Sequence, residues 1–137
     1  MSKISGPLLD RIDIQLEVPS LKVDEITKKA EGESTAMIRA RVEGAMKRQR
    51  RRYESEKIAS NTELEAKLVE KYCSLTEEAE KLLKMAIQEL GFSARAYHKS
   101  LKVARTIADL EDKETITAEH MSEAIHYRTL DRNIWFK

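Results

Sequence analysis

The sequence is poor in residues that break helices. Its 137 residues include 4 Gly and 2 Pro, where average usage would supply roughly sixteen of the two together. Helix is therefore the expected majority. A single Cys excludes an intramolecular disulfide, and three scattered His without paired Cys leave no zinc-ligand spacing, so no metal site is expected. No apolar run nears the ~18 residues of a membrane-spanning helix, and no basic-then-apolar leader opens the chain. A soluble, cytoplasmic protein without a membrane partner is the expectation. An excess of one charge is lacking too: 25 Lys and Arg against 24 Asp and Glu leave +1, so any polyanion-binding surface must be local. A chain of this length fills one core more easily than two, which predicts one compact domain with appendages.

Among what is present, residues 12–18 alternate, with Ile12, Ile14, Leu16 and Val18 on one face and Asp13, Gln15 and Glu17 on the other, before Pro19. This predicts a half-buried β-strand. No later segment alternates comparably, so its partner is expected in another chain or in sequence preceding Met1. The rest reads as helix. Ser34 or Thr35 opens a long one to about Ser55, with an apolar stripe of Ile38, Val42, Ala45, Met46 and Tyr53. Asn61 and Thr62 open another to about Tyr72, where Thr62 and Glu65 have capping-box spacing. Thr76 caps a third, closed by Gly91 and carrying Ala79, Leu82, Leu83, Ala86, Ile87 and Leu90 at helical period. Ser93 caps a fourth to about Leu110, with Ala94, Tyr97, Leu101, Ala104, Ile107 and Ala108 inward. Thr117 caps a fifth, aligning Met121, Ala124, Ile125 and Arg128. The fold class expected is mainly α, a helical bundle preceded by one orphan strand.

Three places draw attention as chemistry. Lys47, Arg48, Arg50, Arg51 and Arg52 form a basic run inside a window, 34–58, that holds eight cations against three Glu. Such a window can neutralise several phosphates, or it is a solvated face whose arginines pair with neighbours such as Glu54 and Glu56. Arg95 lies in the first turn of its helix, where a cation opposes the dipole unless an anion is near. With free amides at the same end and Lys99 and Lys102 following, this reads as a phosphate-binding corner, or else as an Arg paired with a neighbouring carboxylate. Arg11 stands between Asp10 and Asp13, either of which offers a local ion pair. The remaining candidates are weaker. His98, His120 and His126 are expected at the surface or an interface, Cys73 lacks a partner base, Met37, Met46, Met85 and Met121 read as core filler, and Ile134, Trp135 and Phe136 make an apolar tail that packs back on the bundle.

Ser5-Gly6-Pro7-Leu8-Leu9-Asp10-Arg11-Ile12-Asp13-Ile14, Ser93-Ala94-Arg95-Ala96-Tyr97-His98 with its continuation to Glu111, and Glu123-Ala124-Ile125-His126-Tyr127-Arg128-Thr129-Leu130-Asp131-Arg132 resemble, in that order, the C-terminal part of magnesium-chelatase-like AAA+ ATPases of the ComM subfamily. The resemblance implies three segments: 1–19 as the end of the α/β core, 20–60 as a connector with a long basic helix, and 61–137 as the helical lid. It implies that Arg11 is an arginine finger acting in trans on a neighbouring subunit's nucleotide, and that Arg95 is the sensor-2 residue touching phosphates. The parent would bind ATP and Mg and form a homo-hexamer driving DNA branch migration in recombination and natural transformation. No G-x-x-x-x-G-K-[ST] and no acid-tipped strand occur here, so the cradle and metal ligands would lie upstream, and the chain alone should neither hold the nucleotide nor hydrolyse it. The rivals are a magnesium-chelatase subunit of tetrapyrrole synthesis, a free-standing basic helical nucleic-acid-binding module, and a structural oligomerisation domain.

Overall fold

The computed structural model describes residues 5–28 and 32–133. Seven helices follow in order: α1 (Gly6–Leu9), α2 (Val23–Thr27), α3 (Thr35–Arg52), α4 (Ala66–Tyr72), α5 (Glu77–Leu90), α6 (Ala94–Leu110) and α7 (Ala118–Asn133), with a 3₁₀ turn at Asn61–Glu63 before α4. The helix boundaries follow local chemistry. The hydroxyls of Ser34, Thr76 and Ser93 accept the backbone N–H of Met37, Ala79 and Ala96 at 3.3, 3.2 and 3.1 Å, each satisfying one orphan donor of a first turn. Gly91 ends α5 at φ 59°, a left-handed conformation that costs glycine little.

The core is α6 packed against α7 and α3, with α5 against α7 and α4 beneath α6. Ala79 and Leu83 of α5, Leu101, Ala104 and Ala108 of α6, and Met121 and Ala124 of α7 meet Tyr53, Leu64, Val69 and Ile116 there. The loops preceding α5 and α7 are joined by an isolated parallel bridge between Leu75 and Ile116. Thr76 N–H donates to the Ile116 carbonyl at 3.0 Å, and Ile116 N–H donates to that of Ser74 at 2.9 Å.

The structure departs from several expectations. Residues 12–18 form no strand: among the described residues no strand lies beside them, and Ile12, Ile14, Leu16 and Val18 are 38–85% exposed. Their alternation has no second face to pack on, and Gln15 N–H donates instead to the Tyr127 carbonyl at 3.0 Å. Ile14 and Leu16 wall a groove of about 500 Å³ with Val103, Ile107 and Leu110 rather than closing on them. The capping interaction expected of Thr62 and Glu65 belongs to the register two residues earlier, where Glu63 accepts the N–H of Ala59 and Ser60 at 2.9 and 3.1 Å. On α3, Ile38, Val42 and Met46 are exposed, because α6 covers the helix only from about Ala45 onward. Met37 and Met85 are exposed as well, leaving Met121 as the buried one of the four. On α6 the inward residue of the first turn is Ala96, and Ala94 is exposed. His120 is buried, its Nδ1 accepting Thr117 N–H at 3.0 Å and its Nε2 2.8 Å from Glu111. The apolar tail from Ile134 to Phe136 lies outside the described residues.

Candidate functional site

The segment bearing Arg11 is built by one short helical turn. Pro7 presets the backbone of α1, Asp10 N–H bonds the Gly6 carbonyl at 3.0 Å and Arg11 N–H bonds that of Leu8 at 3.1 Å. The chain then leaves in extended form across α6 and α7, held by polar contacts. Lys99 of α6 pairs with Asp13 and donates to the Arg11 carbonyl at 3.0 Å. Arg128 of α7, buried, donates to the Ile12 carbonyl at 2.9 Å and lies 3.9 Å from Asp10. The Arg11 guanidinium is exposed and has no ion pair among the described residues; the local pairing open to it in the sequence is not formed.

Arg95 is the second residue of α6, two positions past the Ser93 cap. It too is exposed, without an ion-pair partner among the described residues. The amides of Ala94 and Arg95 precede the helix's own hydrogen bonds and leave this end electropositive. Lys99 and Lys102 do not join it as free cations. Lys99 is engaged with the Arg11 segment one turn away, and Lys102 donates to the Thr62 carbonyl at 3.1 Å.

The basic run divides by face. Arg52 grips the fully buried carboxylate of Asp109 with both terminal nitrogens, one at 3.0 Å. Arg48 pairs with Asp112 and donates to the Asp109 carbonyl at 2.8 Å. Burial disfavours the charge on Arg52, but its hydrogen bonds to the Asp109 carboxylate and the neighbouring Tyr53 side chain outweigh this through their combined attraction, with the guanidinium 5.6 Å over the Tyr53 ring, and its pKa is raised. Arg105, 3.3 Å from the same carboxylate, is shifted the other way because burial dominates; its buried Nε has no acceptor. Asn61 completes the cluster, donating to Asp109 and Thr106 at 3.0 and 2.9 Å while accepting from the Tyr53 hydroxyl at 2.6 Å. Arg48 and Arg52 therefore fasten α3 to α6. Lys47, Arg50 and Arg51 remain exposed, without ion pairs among the described residues. The acids suggested as neighbours for this run serve elsewhere or stay exposed: Glu56 accepts from Lys71 and Tyr72 at 2.7 and 2.8 Å.

The described residues hold no cluster of three His, Cys, Asp or Glu able to bind a metal ion, and no helix among them is long and apolar enough to cross a membrane. What the exposed groups can do is bind anions: two separate guanidiniums, one at a helix N-terminus, and a triad of cations on the outer face of α3.

Residues 32–128, which hold most of this helical bundle, match the family described as magnesium chelatase, subunit ChlI C-terminal; the chain belongs to that family. It is 40% identical over 133 residues to the uncharacterized protein YifB of Salmonella typhimurium and 38% identical over 133 residues to the competence protein ComM of Haemophilus influenzae. Both alignments cover 96% of this chain, but 26% and 25% of the two relatives. The chain thus spans about a quarter of the length of the curated relatives it matches.

Proposed function

We propose that this chain is the lid of a ComM-like AAA+ ATPase, carried with the last segment of its nucleotide-binding core, and that the whole polypeptide is a cytoplasmic, ring-forming, ATP-driven motor for DNA branch migration. The observation that carries the reading is the pair of exposed, partnerless guanidiniums, Arg11 and Arg95, on segments joined through Lys99. Arg11 is the finger that a neighbouring subunit's nucleotide receives; a guanidinium offered to a transferring phosphoryl group stabilises charge that develops in the transition state. Arg95, with the free amides of its helix end, contacts phosphate oxygens within the lid. ATP with Mg supplies the phosphoryl group and its counter-charge, and the residues that would cradle them belong to the upstream core.

The test is turnover by the whole polypeptide. Arg11→Ala should lower kcat by about a thousandfold or more while sparing nucleotide binding, whereas Arg95→Ala should weaken nucleotide binding itself. Unchanged hydrolysis in Arg11→Ala would overturn the finger assignment. A second reading, a nucleic-acid-binding surface on the chain itself, is favoured by the outward triad Lys47, Arg50 and Arg51. It is complementary, since a motor on DNA needs such a surface.

A further inference from the structure

Arg11 has an acid on each side, and both are occupied. Asp13 holds the Lys99 ammonium, and Asp10 faces Arg128 at 3.9 Å. The same two cations take consecutive backbone carbonyls: Lys99 that of Arg11 at 3.0 Å, Arg128 that of Ile12 at 2.9 Å. Each thus pairs with one carboxylate and one carbonyl, and together they fix the two peptides that follow the Arg11 Cα. Three cations and two acids carry a net +1, and the uncompensated charge is the one on Arg11. The arrangement has an electrostatic cost, since buried Arg128 gives up its hydration with a carbonyl and one partly exposed carboxylate at 3.9 Å in return. An unclamped chain would let Arg11 close on Asp10 or Asp13 and quench itself.

We propose that Lys99 and Arg128 are positioning residues for Arg11: they anchor its backbone to α6 and α7 and occupy the two aspartates that would otherwise neutralise it, so the guanidinium stands free for an anion from outside the chain. The inference rests on the reading of Arg11 as a phosphate-contacting finger. It adds a link within the domain, because Lys99 sits one helical turn from Arg95, and any movement of α6 relative to the core carries both arginines.

The experiment compares steady-state ATP hydrolysis by the whole polypeptide and its Lys99 variants. Lys99→Met should lower kcat by roughly ten- to a hundredfold, the scale of a misplaced catalytic group, with KM for ATP little changed and the melting temperature close to that of the parent. Lys99→Arg, which keeps donors for both acceptors, should retain most of the rate. Adding Asp13→Asn to Lys99→Met should restore much of it, because the freed acid is then no longer able to pair with Arg11. In an Arg11→Ala background, Lys99→Met should have no further effect on the residual rate. An unaltered kcat in Lys99→Met, no recovery with Asp13→Asn, or an equal loss with and without Arg11 would each overturn the clamp while leaving the finger in place. Full turnover by Arg11→Ala would instead overturn the finger, and the clamp with it.

Discussion

Removing the charge of Asp109 would take the carboxylate from two guanidiniums, the partly buried one of Arg52 and the buried one of Arg105, and leave the Asn61 amide short of an acceptor. Asp109→Asn should therefore destabilise the chain by about 3–5 kcal/mol, read as a lower urea midpoint at unchanged slope. Nothing near Asp109 in the sequence signals this, because its principal partner lies 57 positions away and an acid late in a helix reads as solvated. Arg128 shows the same gap: helical period placed it on the inward face of α7, but not the acceptors waiting there on another segment. The free state of Arg11 was invisible for the converse reason, since local spacing suggests the ion pair that Lys99 and Arg128 prevent. Cys73 carries a pH dependence. Burial pushes its thiol up to about 11, so the unfolded chain ionises first as pH rises past its ordinary value near 9. Stability contributed by the neutral thiol is full below about pH 9 and is lost between 9 and 11, by roughly 2–3 kcal/mol. Cys73→Ala should flatten that alkaline limb in denaturation series, and native Cys73 should resist alkylation at neutral pH.

At the level of elements, caps and stops were legible because their chemistry is local: Ser34, Thr76, Ser93 and Gly91 all sit where the sequence places them. At 60–65 two S/T-x-x-E spacings overlap, so local sequence does not choose between them, and only tertiary contacts select Ser60–Glu63. The apolar stripe of α3 was legible as a stripe, but not how far its neighbour extends. Two glycines separate backbone roles cleanly. Gly44 lies within α3, and an added Cβ would meet only the end of the Arg48 side chain at 3.5 Å, so Gly44→Ala should raise stability by about 0.5–1 kcal/mol. Gly91→Ala should lower it by about 1 kcal/mol, because a side chain is disfavoured at φ 59°. Paired melting curves would show the two shifts in opposite directions.

For the whole molecule, the near-zero net charge conceals a division of labour among its cations. Alanine at Lys47, Arg50 and Arg51 together should abolish DNA binding measured by fluorescence anisotropy and leave the melting temperature unchanged, whereas Arg52→Ala should lower the melting temperature. With three phosphates neutralised, the salt dependence of binding should have a log–log slope of about −2 to −3. The bundle as a whole was readable from scarce helix breakers and periodic faces; segment 12–18 was readable as having no comparable alternating segment later in the sequence, but not as leaning on α7. The bridge between Leu75 and Ile116 adds a kinetic consequence. Ile116 stands in a connection between helices, where amide protons ordinarily trade with solvent within seconds to minutes, yet it is fully buried and bonded to Ser74. Its proton can leave only when both connections part at once, so deuterium should enter there as slowly as in the middle of α6, marking a loop that opens with the entire domain.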